Sequence, residues 1–158
     1  MNIIIYTDGA AQGNPGRGGY GAVLISGKHR KELSKGFRLT TNNRMELLAV
    51  IVALENIKVS GCNITVFSDS KYVVDAVEKK WLFGWEKINF KKKKNPDLWR
   101  RFLKTYYNHN VSFKWVKGHS NIIENDRCDQ LAVEAANKTC LDRDIWYEKN
   151  ERKPPSLF

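Results

Sequence analysis

The chain has 158 residues, enough for one domain with a real core and no need of staples. Apolar residues make up 42% of it and aromatics 11%, which excludes a disordered tail as the whole answer. The longest unbroken apolar run, Leu47 to Leu54, is too short to cross a bilayer. Cys62, Cys128 and Cys140 are too scattered for a disulfide framework or zinc knuckle, and no basic, apolar leader precedes the first strand-like run. A secreted or membrane protein is therefore not expected; the thiols read as free cysteines of a reducing, cytoplasmic compartment.

In chain order, Asn2 to Thr7 is a short β-rich apolar run. Residues 9–21 are glycine-rich, with Asn14-Pro15 marking a turn. Gly19 to Ser26 alternates loosely and reads as a second strand, and Arg30 to Leu39 as a third with a solvated face. A helix follows, with Thr40 and Thr41 as candidate N-caps and Met45, Leu48, Val52 and Ile57 at helical spacing. Asn63 to Phe67 is a strand, and Ser68-Asp69-Ser70 can cap a helix running to about Glu78. A short helix over residues 81–90 leads into a lysine run. Asp97 to Tyr107 is a helix, Val111 to Val116 a strand, Gly118 to Glu124 a loop, and Asn125 to Asn137 a helix. The polar tail from Thr139 to Phe158 is expected to fray. No linker or repeat divides the chain, so a single domain over residues 1–138 with a partly disordered tail (139–158) is expected. The order βββαβα(α)αβα predicts an α/β protein with a mixed sheet, the first three strands antiparallel and those reached through helices parallel.

The net charge of +10 is uneven. Residues 79–94 hold Lys79, Lys80, Lys87, Lys91, Lys92, Lys93 and Lys94 against the single acid Glu86, so that segment carries +6. Trp81, Phe83, Trp85 and Phe90 interleave with the lysines. Lysines neutralise phosphates with release of counterions, while aromatics pack or stack, so a nucleic acid is the leading partner and an anionic membrane surface the weaker one.

Four acids sit where acids are unexpected. Asp8 and Asp69 each end an apolar strand, and ligands of open α/β sheets bind at the carboxyl ends of strands. Glu46 is the only polar residue between Met45 and Leu54, and an acid on a buried face needs a partner. Asp129 lies among Cys128, Leu131 and Ala132. Each has a structural reading: Asp69 as an N-cap, Asp129 as a first-turn acid favoured by the helix dipole, Asp8 as a turn cap. With no basic residue directly beside any of them in sequence, the four together suggest an external hard cation, Mg²⁺ or Mn²⁺. A basic arm to hold a phosphate backbone and a metal-bridged acidic cluster point to metal-dependent phosphodiester hydrolysis.

Tyr-Thr-Asp-Gly at 6–9, Gly-Asn-Pro-Gly at 13–16, Thr-Thr-Asn-Asn-Arg-Met-Glu at 40–46, Ser-Asp-Ser at 68–70, Trp-Val-Lys-Gly-His at 115–119 and Asn-Asp-Arg-Cys-Asp at 125–129 closely resemble bacterial ribonuclease H of type 1, in order, from about residue 3 to residue 136. Segment 79–94 resembles that family's basic protrusion. The resemblance implies a ribonuclease H-like fold, a five-stranded mixed sheet flanked by helices on both faces. It also implies a monomeric endonuclease that cuts the RNA strand of an RNA–DNA hybrid, leaving 5′-phosphate and 3′-hydroxyl ends. By the same resemblance Asp8, Glu46, Asp69 and Asp129 hold two Mg²⁺ ions, with Mn²⁺ able to substitute. Asp8 bridges both, and Glu46 also accepts a hydrogen bond from a ribose 2′-hydroxyl. His119 serves as a proton shuttle near the leaving group, a task suited to imidazole. Asn14, Asn42 and Asn43 are candidate minor-groove contacts, Thr41 and Asn95 match positions that hold a phosphate of the DNA strand, and Lys71, Trp81, Trp85 and Lys91 to Lys94 complete the expected nucleic-acid surface.

The chain departs from the family pattern at two places. Leu39 stands where an arginine of the phosphate pocket is common, with Arg38 one step off and so on the other face of its strand. The loop after His119 reads Ser120-Asn121-Ile122-Ile123 where glycine is common, and asparagine adopts φ > 0 less freely than glycine. The competing readings are a binding module of this fold without turnover and a DNA-strand resolvase or transposase core. The complete acid set argues against the first, and the protrusion with the Thr-Asn-Asn-Arg-Met-Glu helix start argues against the second.

Overall fold

The computed structural model describes residues 1–118 and 121–151. Five strands, β1 (Asn2–Gln12), β2 (Gly16–Ser26), β3 (His29–Thr40), β4 (Asn63–Ser68) and β5 (Asn110–Trp115), form one sheet in the order β3-β2-β1-β4-β5. The first three pair antiparallel, and β1 with β4 and β4 with β5 pair parallel. The helices are α1 (Asn42–Glu55), α2 (Lys71–Glu78), α3 (Trp81–Lys87), α4 (Pro96–Tyr106), α5 (Ile123–Ala136) and α6 (Ile145–Asn150). This is the mixed sheet that the sequence pattern and the resemblance both predict.

The glycine-rich stretch turns at Asn14-Pro15 as expected, but the strands on either side of the turn are longer than the sequence suggests. β1 runs on to Gln12 and β2 begins at Gly16, leaving a short turn that includes a cis Asn14-Pro15 peptide. Those glycines serve close packing. A side chain on Gly21 would strike the Cys128 carbonyl of α5 at 2.4 Å. On the opposite face Tyr20 and Ala22 join the main core with α1, while Val23 packs with Cys128 and Leu131 of α5. Strand alternation therefore puts α1 and α5 on opposite faces of the sheet. α1 is almost enclosed, with Met45, Leu47, Ala49, Val50, Ile51 and Ala53 fully buried.

The tail does not fray from Thr139. Through residue 151 it docks on β3 and α1. The Arg38 N–H donates to the Asp142 carbonyl at 2.9 Å and the Asp142 N–H to the Gly36 carbonyl at 3.0 Å, which covers the β3 edge. Arg44, 1% exposed, then locks the segment. Its guanidinium makes paired bonds to Asp144 (2.7 and 2.9 Å) and to Asp97 (2.9 and 2.7 Å) and reaches Asn95 Oδ1 at 3.3 Å. Thr40 Oγ1 donates to Asp144 at 2.7 Å, and Asp144 caps α6. The polar composition of 139–151 hides this because its anchor is one buried cation a hundred residues earlier.

Arg44→Ala would leave two largely buried carboxylates uncompensated and should cost about 3–5 kcal/mol of stability. Urea unfolding measures this directly, and a loss below about 1 kcal/mol would contradict the lock.

Candidate active site

β1 and β4 lie in parallel register, Tyr6 beside Phe67 with their rings stacked at 5.0 Å. Asp69 follows the last residue of β4, whereas Asp8 does not end its strand as the sequence suggests: it lies inside β1, two residues past the point where pairing with β4 stops, and β1 runs on beside β2 to Gln12. Asp69 is not the cap of α2: Ser70 Oγ accepts from the Val73 N–H at 3.3 Å, and Ser68 Oγ accepts from the Ser70 N–H at 3.1 Å. The Asp69 carboxylate is thereby left to the site. Glu46 reaches the pair because Gly9 has no side chain; a Cβ there would lie 2.4 Å from the Glu46 nitrogen. Asp8, Glu46 and Asp69 each bring a carboxylate oxygen to within 4.8 Å of the others. Asp129 stands outside this triple, yet its carboxyl comes close enough to raise the proton affinity of Asp8 and Asp69. It lies two turns into α5, well past the first-turn acids Glu124 and Asp126, so the helix dipole does not account for it.

Among the described residues none of the four acids forms an ion pair. Glu46 Oε2 is buried and meets no hydrogen-bond donor there. Burial, and then the charge of Asp69, pushes Asp8 up to about 8 from its ordinary 3.8. Burial first, then Asp8 and Asp69, raises Glu46, and Asp69 is raised mainly by burial. An all-oxygen, anionic cluster holding an orphaned carboxylate oxygen suits a hard divalent cation.

Beside the cluster, Trp115 Nε1 donates to the Asp69 carbonyl at 3.1 Å and Lys71 Nζ lies 4.9 Å from the centre of the Trp115 ring. A side chain at Gly118 would come within 3.1 Å of Asp69 Oδ2. His119 and Ser120 lie outside the described residues. Asn121 takes the left-handed conformation, φ 61°, that the loop requires.

A cleft of about 620 Å³ gathers Asn14, Thr41, Asn43, Lys94 and Asn95. Leu39 lines it, whereas Arg38 points to α6 and bonds Glu148. Thr41 is also the N-cap of α1, its Oγ1 accepting from the Arg44 N–H at 3.2 Å. Asn42 Oδ1 accepts from the Ala11 N–H of β1, and Asn14 Oδ1, in the β1–β2 turn, from the Asn42 N–H at 3.1 Å, which ties the start of α1 to β1 and its turn. Sequence reasoning missed Tyr147 and Glu151, which close the cleft, and Arg44, which orients Asn95. The available signal was an arginine two residues from Glu46 on an apolar helix.

In the basic segment the rings carry lysines. Lys79 lies 5.2 Å over Trp81, Lys80 lies 5.7 Å over Phe83, and Lys93 lies 5.3 Å over Trp85, which itself packs edge-on against buried Trp99. These aromatics hold cations in place rather than standing as bare stacking platforms.

The RNase H family model matches residues 1–137. The ribonuclease H of Desulforamulus reducens is 55% identical over 148 residues, 90% of this chain and 92% of that protein. The ribonuclease H of Syntrophus aciditrophicus is 53% identical over 150 residues, 92% of this chain and 86% of that protein. Among solved structures, LC9-RNase H1, a type 1 RNase H with the type 2 active-site motif, matches with a TM-score of 0.79 at 26% identity, covering 95% of this chain and 82% of that one. LC11-RNase H1, in complex with an RNA/DNA hybrid, matches with a TM-score of 0.64 at 30% identity, over 85% of this chain and 96% of that one.

With no cation bound, the folded protein keeps a proton at Asp8 between its ordinary 3.8 and about 8, a range in which the unfolded chain has released it. Stability contributed by that proton is lost as pH rises through this window. Magnesium should therefore raise the melting temperature more at about pH 8 than at about pH 5, where protons compete for the cluster. A thermal melt indifferent to magnesium at both values would contradict a shared cation site.

Proposed function

The chain belongs to the ribonuclease H family and is a metal-dependent endoribonuclease acting on the RNA strand of RNA–DNA hybrids, and from that premise we propose that it works with two Mg²⁺ ions held by Asp8, Glu46, Asp69 and Asp129, as a cytoplasmic monomer. The observation that carries this reading is the convergence of Asp8, Glu46 and Asp69 within 4.8 Å without a basic partner. When bound, the ions would supply Lewis acidity, favouring hydroxide at the attacking water and offsetting charge on the phosphodiester. Water oxygen bonds to phosphorus, the P–O3′ bond breaks, and the 3′ oxygen leaves with a proton, giving 5′-phosphate and 3′-hydroxyl ends. His119, by family resemblance, supplies that proton and assists product release.

The remaining residues bind and orient. Glu46 accepts from the 2′-hydroxyl that only the RNA strand carries. Asn14 and Asn42 have their amide oxygens tied to the protein backbone, so their NH₂ groups are the atoms to offer to minor-groove acceptors, together with exposed Asn43. Thr41, Lys94 and Asn95 line the cleft that takes a phosphate of the DNA strand, and Lys71 adds positive charge beside Asp69. Lys91, Lys92 and Lys93, the last resting on Trp85, hold the duplex backbone together with Lys79 on Trp81, without reading its sequence.

The decisive experiment incubates the protein with labelled RNA–DNA, RNA–RNA, DNA–DNA and single-ribonucleotide duplexes, with and without magnesium. Magnesium-dependent cutting of the RNA strand of the hybrid is expected, and its loss, with a native melting profile, in Asp69→Asn. Undiminished cleavage by that variant would remove Asp69 from the metal site. Replacing Lys91, Lys92 and Lys93 by alanine should raise KM and flatten the salt dependence of hybrid binding by up to about 0.9 log unit per lost phosphate contact. An unchanged slope would show these lysines to be ordinary surface.

A further inference from the structure

The substrate cleft has an anion of its own. Glu151 ends the last turn of α6, its N–H donating to the Tyr147 carbonyl at 2.9 Å. α6 cannot drift away, because Asp144 at its cap is bound to Arg44 and Thr40, Glu148 is bound to Arg38, and Tyr147 is buried. This anchoring delivers the Glu151 side chain to the cleft wall, with Oε2 at 3.3 Å from Lys94 Nζ. Among the described residues Lys94 is the only cation lining the cleft, and Leu39 adds none. With Glu151 in place the lining is formally neutral, an unusual balance for a surface that is to hold a phosphate.

We propose that Glu151 sets the affinity of the cleft for the substrate phosphate, serving as the resident counter-ion of Lys94 that an incoming phosphate must displace. The inference rests on the phosphate-binding reading of the cleft given above. The two anions compete for one ammonium group, and that group is exposed: the Lys94 side chain is 80% accessible, while that of Glu151, at 27%, is half-buried against the cleft wall. A pair whose lysine stands in solvent is weak and exchangeable, so phosphate entry needs no unfolding of α6. The exchange also changes the salt response. When a phosphate displaces Glu151, the cation released from the duplex is offset by one drawn to the freed carboxylate, so the contribution of Lys94 to the salt dependence is muted. An unpaired Lys94 would contribute a full phosphate contact.

The test compares wild type, Glu151→Gln and Glu151→Lys, each with and without Lys94→Ala, for hybrid cleavage over a range of salt concentrations. Glu151→Gln should lower KM by about two- to fivefold at low salt and steepen the salt dependence by up to about 0.9 log unit. Glu151→Lys should extend both trends. Lys94→Ala should raise KM little in the wild type and several-fold in the Glu151→Gln background. A purely structural role for Glu151 would move the melting temperature and leave no such dependence on Lys94. Unchanged KM and salt slope in both Glu151 variants overturn the proposal while hybrid cleavage by the wild type stands. Failure of the wild type to cut hybrid in magnesium would instead overturn the reading on which it rests.

Discussion

Carboxylates gathered within 4.8 Å repel one another, and most of this architecture is arranged around holding them there. Parallel pairing of β1 with β4 brings Asp8 and Asp69 side by side. The bare backbone of Gly9 admits α1, and Ser70 does the capping that would otherwise occupy Asp69. The repulsion has to be carried by something rigid. Two residues before Glu46 on the same helix, Arg44 is clamped between Asp97 and Asp144. One end of α1 thus holds a buried cation with two acids and, next to it, a buried acid with no cation. The first arrangement is self-sufficient; the second is complete only with an ion from outside.

The positive charge of the chain is kept apart from this cluster and is ordered in advance. Lys79, Lys80 and Lys93 rest on Trp81, Phe83 and Trp85, and Trp85 is braced by Trp99. Left-handed backbone at Lys80, Asn89, Phe90, Lys92 and Asn95 shapes the same stretch. Lysine side chains whose freedom is already reduced lose less on meeting a phosphate backbone. The polar C-terminal segment joins this division of charge. It covers the β3 edge, completes the Arg44 lock, and places an acid beside Lys94 at the cleft. Stability of the α1 end and composition of the substrate surface are therefore coupled through residues 142–151.

Local pattern alone determined the element order through α5 and the antiparallel first three strands, and it singled out the four acids and the basic arm, because strand and helix periodicity, terminal polar residues and charge runs are properties of neighbours in sequence. It placed the turn at Asn14-Pro15 but ended the first strand at Thr7 and began the second at Gly19, both too far from the turn, since a glycine needed for close approach to a helix looks the same as one needed for a turn. It also read the tail as frayed, since Leu141, Ile145, Trp146 and Tyr147 are too few among polar residues to show a helical period, and the buried arginine that anchors the segment lies a hundred residues away. Only the tertiary structure decided that Ser70 rather than Asp69 caps α2, that Asp129 stands beside and not within the close triple, that Arg38 serves α6 while Leu39 lines the cleft, and that Glu151 faces Lys94. Each of these depends on which side chains meet across the fold, and such meetings are set by packing distances between elements that sequence spacing does not contain.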